Sequence, residues 1–341
     1  MRAVARSLFA VALWLCGEAL GAQDEARIAE LAKQAAAGQP LAKEELQKLA
    51  DEGNAAAEHF VGNLHLSGKT VPRSEARAIE WFRRAADKGY LPSAHALGVI
   101  HERASGELRD LPEALRRYRY AAERGYARSQ ANLGHMLAEG IGVKQDLDAA
   151  RDWLEKSVAQ NQPWGQYLLG MIYLEGRGVA RDEPRGASLV RAAAENGERE
   201  AQYHFALLSG TGIGVEKDER QALEWLRKAA VQRHASAQFL LGVAYSRGLY
   251  GVAPNHAEAA QWLRRSARQG NAEAQYALGI AYYQGRGVAK DASEALGWIS
   301  EAAKNGHPEA MQMMNELRRR RAMPPALEAP PARDQEPRAA E

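Results

Sequence analysis

By residue type, the side chains best suited to chemistry here are histidines, and two pairs of them recur at one spacing: His59 with His95 and His65 with His101, each 36 residues apart. Imidazoles brought side by side could ligate a metal or move a proton. A tetrahedral site needs further converging thiolates, imidazoles or carboxylates. The same two columns read Tyr167, Tyr203 and Tyr276, and Tyr173, Tyr245 and Tyr282, later in the chain. Histidine standing in for a packed aromatic is therefore the reading the pattern favours. No HExxH, no GxSxG and no Ser-x-x-Lys set with partners stands in a fitting context. Four GxGV segments, among them Gly140-Ile141-Gly142-Val143 and Gly285-Arg286-Gly287-Val288, have the glycine spacing of a phosphate loop. A phosphate loop also requires a preceding strand and a glycine-rich helix entry, and neither is present. We expect no cofactor, no metal and no enzymatic activity.

The elements that position these residues follow from self-comparison. A glycine inside an apolar segment recurs at Gly62, Gly98, Gly134, Gly170, Gly242 and Gly279, with Ala206 in the same column. The spacing is 36 residues, with one insertion near Tyr250. A bulky slot nineteen positions on reads Trp81, Arg117, Trp153, Leu189, Trp225, Trp262 and Trp298, and Gln130, Gln166, Gln202, Gln238 and Gln275 form a further column. A period between about 20 and 50 residues marks stacked units that bury each other's apolar faces. Each unit reads as two helices around a GxGV turn, whose glycines can take positive φ, with Asp291 or its equivalent opening the second helix. The expected fold is all-α: a right-handed α-solenoid of seven to eight helix-turn-helix repeats. Units start near residues 56, 92, 128, 164, 200, 236 and 273, with a half unit from 308. Residues 23–54 read as a degenerate capping repeat, and the glutamine column as a ladder between neighbouring units. The mid-helix glycine, worth about 1 kcal/mol less than alanine in a helix, is expected to admit the Trp or aromatic slot of a neighbouring helix.

Charge is nearly balanced at +2 over 341 residues, so no basic stripe for nucleic acid is present. Arg2 and Arg6, the apolar run Leu8 to Cys16 and the small residues up to Ala22 read as a cleavable secretory signal over residues 1–22. That run is shorter than the roughly 20 residues of a membrane span, so no transmembrane segment is expected in the mature chain. Leu15 before Cys16, the only cysteine, argues against a lipid anchor. Residues 322–341, rich in Pro, Ala and charge, have the composition of a disordered tail, and Arg318 to Arg321 read as a solvated helix end.

The columns A-Q-Y-x-L-G, G-x-G-V, A-x-x-W and A-A-x-x-G, clearest at Ala274 to Gly306, resemble the Sel-one-like repeat (SLR) family over about residues 55 to 321. The resemblance implies a helical solenoid acting as an adaptor or scaffold, often at bacterial envelopes, here periplasmic or secreted. Its alternative is a secreted cell-wall or β-lactam-binding hydrolase, a branch whose paired cysteines this chain lacks. If first helices line the concave side, as in related solenoids, positions −2, +1 and +5 from the glycine face a partner. These read Asn132, His135 and Glu139; Leu168, Met171 and Glu175; His204, Leu207 and Thr211; Leu240, Val243 and Arg247; Ala277, Ile280 and Gln284. A protein or peptide partner is thus expected on Leu168, Met171, His204, Leu207, Leu240, Val243 and Ile280.

Overall fold

The computed structural model describes residues 24–322, and every regular element among them is helical. The expected leader, residues 1–22, and the tail beyond Ala322 lie outside the described residues. An opening hairpin, α1 over residues 24–36 and α2 (Pro40–Asp51), precedes seven more. Their first helices are α3 (Ala55–Ser67), α5 (Leu91–Arg103), α7 (Ala127–Glu139), α9 (Pro163–Glu175), α11 (Arg199–Thr211), α13 (Ala235–Arg247) and α15 (Ala272–Gln284). Their second helices are α4 (Glu75–Asp87), α6 (Leu111–Glu123), α8 (Leu147–Val158), α10 (Glu183–Glu195), α12 (Glu219–Val231), α14 (His256–Ala267) and α16 (Ala292–Lys304). Helix α17 (Pro308–Ala322) ends the described chain. The chain divides into two compact units, one up to Ala193 and one from Ala194.

The seven repeat hairpins all close the same way. The backbone N–H of the second helix's N-cap donates to a carbonyl near the end of the first helix: Asp146 to Leu137 at 3.0 Å, Asp218 to Ser209 at 2.7 Å, Asp291 to Tyr282 at 3.1 Å. The same aspartates then cap the helix they open, Asp146 Oδ1 accepting from Ala149 N–H and Asp291 Oδ1 from Ser293 and Glu294 N–H. Between the helices the glycines of the GxGV turn sit at positive φ, 68° at Gly140 and 65° at Gly142. The second of them is also a contact point between hairpins, since a Cβ on Gly142 would lie 2.6 Å from the Cβ of Leu111, the first residue of α6.

The mid-helix glycine packs against its own hairpin's second helix, one position past the expected slot. A Cβ on Gly62 would meet Phe82 at 2.7 Å, on Gly98 Tyr118 at 2.6 Å, on Gly134 Leu154 at 2.7 Å, and on Gly279 Ile299 at 2.7 Å. Phe82 follows Trp81, and Leu154 follows Trp153. One residue is 100° of helix, which turns the Trp column away from the glycine. Those tryptophans instead lie under the cation three residues on: Arg84 over Trp81 at 4.2 Å, Lys156 over Trp153 at 4.0 Å, Lys228 over Trp225 at 3.6 Å.

The opening hairpin contributes to the core as a repeat does: Ile28, Leu46 and Ala50 join Ala57, Val61 and Leu64 of α3 in one buried cluster. At the far end, Ala310 of α17 packs with Ile299 and Ala302 of α16.

Candidate interaction surface

The glutamine column ties hairpin to hairpin. Gln130 Nε2 donates to the Ala122 carbonyl at the end of α6 (3.2 Å), and Gln130 Oε1 accepts from Gln160 Nε2 just past α8 (2.9 Å). Gln202 repeats this with Ala194 and Gln232, Gln238 with Ala230 and Gln269, and Gln275 with Ala267 and Asn305. One buried amide thus satisfies a helix-end carbonyl that would otherwise lack a partner. In the first full repeat, Glu58 occupies this column, fully buried, with Lys88 Nζ at 2.7 Å in the partner position and Arg84 Nε at 2.9 Å.

The histidines are used in packing. His59 Nδ1 is hydrogen-bonded to Ser93 Oγ and His95 Nδ1 to Ser129 Oγ, both at 3.0 Å, each pair joining consecutive first helices. Burial pushes both imidazoles down to about 4; for His95, the charges of Arg128 and Arg103 add to it. His65 and His101 donate to loop carbonyls, those of Pro72 and Leu108, at 3.4 and 3.1 Å. Farther along, Glu198 at the N-cap of α11 is pushed up to about 7, by burial first and then by the hydrogen bond and charge of Glu200. Among the described residues, no three His, Cys, Asp or Glu side chains converge as a metal site would require.

The face at positions −2, +1 and +5 remains. Leu168, Met171, His204, Leu207, Leu240, Val243 and Ile280 are all partly buried, neither sealed in the core nor standing free. His204 Nδ1 reaches the Glu200 carbonyl of its own helix at 3.0 Å. Leu168 and Met171 line a groove of about 220 Å³ between α7 and α9 with His135, Trp164 and Arg177. Val243 and Ile280 line a larger one of about 480 Å³ between α13 and α15, with Tyr276, Glu273, Arg247 and Arg286. Sequence reasoning missed Trp164 and Glu273, which share one column, and Arg177 and Arg286, which share another. The glycine-centred count extended to −6 and +7 would have found both.

A family model for the Sel1 repeat matches residues 55–90, 91–126, 127–162, 165–198, 199–234, 235–271 and 272–307. The chain belongs to the Sel1 repeat family. Those seven matches cover the seven hairpins α3–α4 to α15–α16, so the chain is an all-α solenoid of Sel1 hairpins. It is similar to a Sel1 repeat protein from Oxalobacter formigenes, at 31% identity over 82% of this chain and 81% of that one, with a TM-score of 0.62. It is also similar to a protective antigen of uropathogenic Escherichia coli strains displaying an SLR fold, at 31% identity and a TM-score of 0.61. There the alignment covers 80% of this chain but only 58% of the antigen. No curated protein matches. No helix among the described residues is long and apolar enough to cross a membrane.

Proposed function

We propose that this Sel1 repeat chain is a non-enzymatic scaffold of the bacterial cell envelope, exported through its leader and holding a peptide or protein partner along its first-helix face. The observation that carries this reading is a division of labour among the recurrent columns. The groups that could do chemistry are spent on the fold: His59, His95 and the glutamine column tie hairpins together, and His65 and His101 hold their own loops. Leu168, Met171, Val243 and Ile280, half-buried on the first helices, line grooves instead. Apolar patches bordered by charge are what partners seek on a solenoid. The leader-like residues 1–22 and the likeness to a protective antigen support export.

Met171→Glu and Leu207→Glu test the surface. The expected result is an unchanged helical spectrum and melting temperature with loss of the partner recovered by cross-linking on native cells. A large fall in melting temperature in both variants would make the residues core and remove the reading. Mass spectrometry of the mature protein is expected to find an N-terminus close after Ala22. Purified protein is expected to leave a chromogenic β-lactam and a muropeptide intact, and turnover abolished by a point substitution would replace the scaffold with a hydrolase.

A further inference from the structure

The two grooves are the same site in two repeats, and their differences are directional. Between α7 and α9, Trp164 and Leu168 fill much of the space; Glu273 and Ala277 hold those positions between α13 and α15, where the groove is about twice as large, 480 against 220 Å³. Charge changes too. Arg177 Nη1 lies 2.6 Å from Glu139 and 3.9 Å from Glu175, and its Nη2 donates to the Ala138 carbonyl at 2.8 Å, so the smaller groove neutralises its own cation. In the larger groove Arg286 occupies the place of Arg177, while Arg247 replaces Glu139 and Gln284 replaces Glu175. Both acids are lost and a second guanidinium is gained. Neither Arg247 nor Arg286 has an ion pair or side-chain hydrogen bond among the described residues.

Arg247 and Arg286 stand exposed on one rim, permanently protonated and without an internal partner among the described residues, so an arriving anion meets two free guanidiniums and displaces no existing ion pair. A carboxylate is the match, because its two oxygens accept the parallel N–H groups of the guanidinium fork. The floor beneath, Val243, Ile280 and Tyr276, is apolar and partly open. The opposite rim carries Glu273 and Glu309, which reach His307 at 3.1 and 3.3 Å. A polyanion such as nucleic acid would meet those two acids, whereas a single carboxylate beside an apolar side chain would not.

We infer that the groove between α13 and α15 binds a peptide segment in which an acidic side chain stands next to an apolar one, the carboxylate on Arg247 and Arg286 and the apolar group on Val243 and Ile280. This deepens the proposed function and rests on it.

The test is selection from a random pool of dodecapeptides by the full mature protein, by Arg247→Glu, and by the double variant Glu273→Trp with Ala277→Leu. Each substitution installs a residue the chain already carries at that position in the smaller groove. Arg247→Glu gives Arg286 the internal partner that Arg177 has, so it is expected to fold as well as the native protein. The native protein is expected to enrich Asp or Glu beside Leu, Ile or Phe. The selected peptide is expected to bind Arg247→Glu about tenfold more weakly or worse, the loss of one charge-assisted contact. It is expected to be lost from the double variant as the groove fills. Peptides enriched without acids, or acid enrichment unchanged in Arg247→Glu, would overturn the anion inference and leave the peptide-binding surface standing. A pool from which the native protein retains nothing would overturn both.

Discussion

The ring of Tyr276 in α15 stacks on that of His307, the residue before α17, with centroids 4.2 Å and planes 26° apart, and His95 and Tyr126 fill the same two positions with identities exchanged. Tyr203 with His234 repeats the first arrangement and His59 with Tyr90 the second. A third position follows the exchange. Where histidine is on the first helix, it bonds a serine, Ser93 or Ser129. Where histidine opens the next helix, its Nδ1 accepts the N–H of an alanine, Ala237 or Ala310, and caps that helix. In these four repeats the His–Tyr pair recurs as a unit, stacked when tyrosine is on the first helix and tilted at 5.4 Å when histidine is, with the imidazole nitrogen satisfied either way. His95→Tyr alone leaves Ser129 without its imidazole partner and is expected to cost about 1 kcal/mol in urea unfolding. The triple exchange His95→Tyr, Tyr126→His, Ser129→Ala reproduces the other arrangement and is expected to recover most of that loss. A triple variant no more stable than His95→Tyr would show that the two arrangements are not interchangeable.

Gly62 faces the ring of Phe82, and a Cβ there would come within 2.7 Å of Cε1. Gly62→Ala gains about 1 kcal/mol of helix propensity but overpacks a rigid ring, a cost of about 1–3 kcal/mol. The expected result is net destabilisation. The chain itself contains the relieved version, Ala206 in the glycine column with Leu226 twenty residues on, both buried. Gly62→Ala with Phe82→Leu is therefore expected to be more stable than Gly62→Ala alone. Additive losses in the double variant would mean the two positions do not touch.

These two cases also mark what was legible in the sequence. The period, the helical class, the aspartate caps and the glutamine ladder follow from recurrence, because a column that returns from repeat to repeat reports an environment that returns with it. The partner of the mid-helix glycine was misplaced by one residue. Tryptophan is the conspicuous member of its column, while the residue that fills the gap varies among Phe82, Tyr118, Leu154 and Ile299 and so leaves no pattern. The His–Tyr exchange escaped for a related reason. Each residue type alternates between two columns, and a comparison made one column at a time sees neither. The grooves lie between repeats, and what separates them is a set of paired differences, Trp164 and Glu273, Leu168 and Ala277, Glu139 and Arg247, Glu175 and Gln284.

Glu58 with Lys88 occupies the positions that Gln130 with Gln160 holds two repeats later, and Lys88 also donates to the Gly53 carbonyl as Gln160 does to that of Gly125. The charged version leaves Glu58 Oε2 buried with no hydrogen-bond partner, a desolvation cost the amide version avoids. Glu58→Gln with Lys88→Gln is expected to be at least as stable as the native chain. Glu58→Gln alone, which strands two cations at the site, is expected to lose about 1–3 kcal/mol. Urea midpoints for the two variants decide it. A double variant less stable than the single one would mean that the ion pair is itself stabilising.

His59 and His95 in one compact unit and Glu198 in the other set opposite pH limits, while burial lowers His234 of the second unit in the same sense as the first two. In the unit up to Ala193, burial holds His59 and His95 at about 4 against an ordinary 6.5. The unfolded chain takes up these protons first, so the stability they carry is present above pH 6.5 and is lost as pH falls through about 4. In the unit from Ala194, Glu198 stands at about 7 against 4.5. Here the folded state holds the proton more tightly, so its contribution is present below pH 4.5 and is lost as pH rises through about 7. Glu198→Gln is therefore expected to match the native protein near pH 4.5 and to exceed it above pH 7. His59→Phe with His95→Phe, using the residue found at Phe239 in the same column, is expected to gain on the native protein as pH falls from 6.5 to 4. Urea midpoints at three pH values, with histidine titration followed by NMR, give both slopes. If the native and Glu198→Gln midpoints run parallel from pH 4.5 to pH 8, the Glu198 carboxyl is not held protonated by the fold.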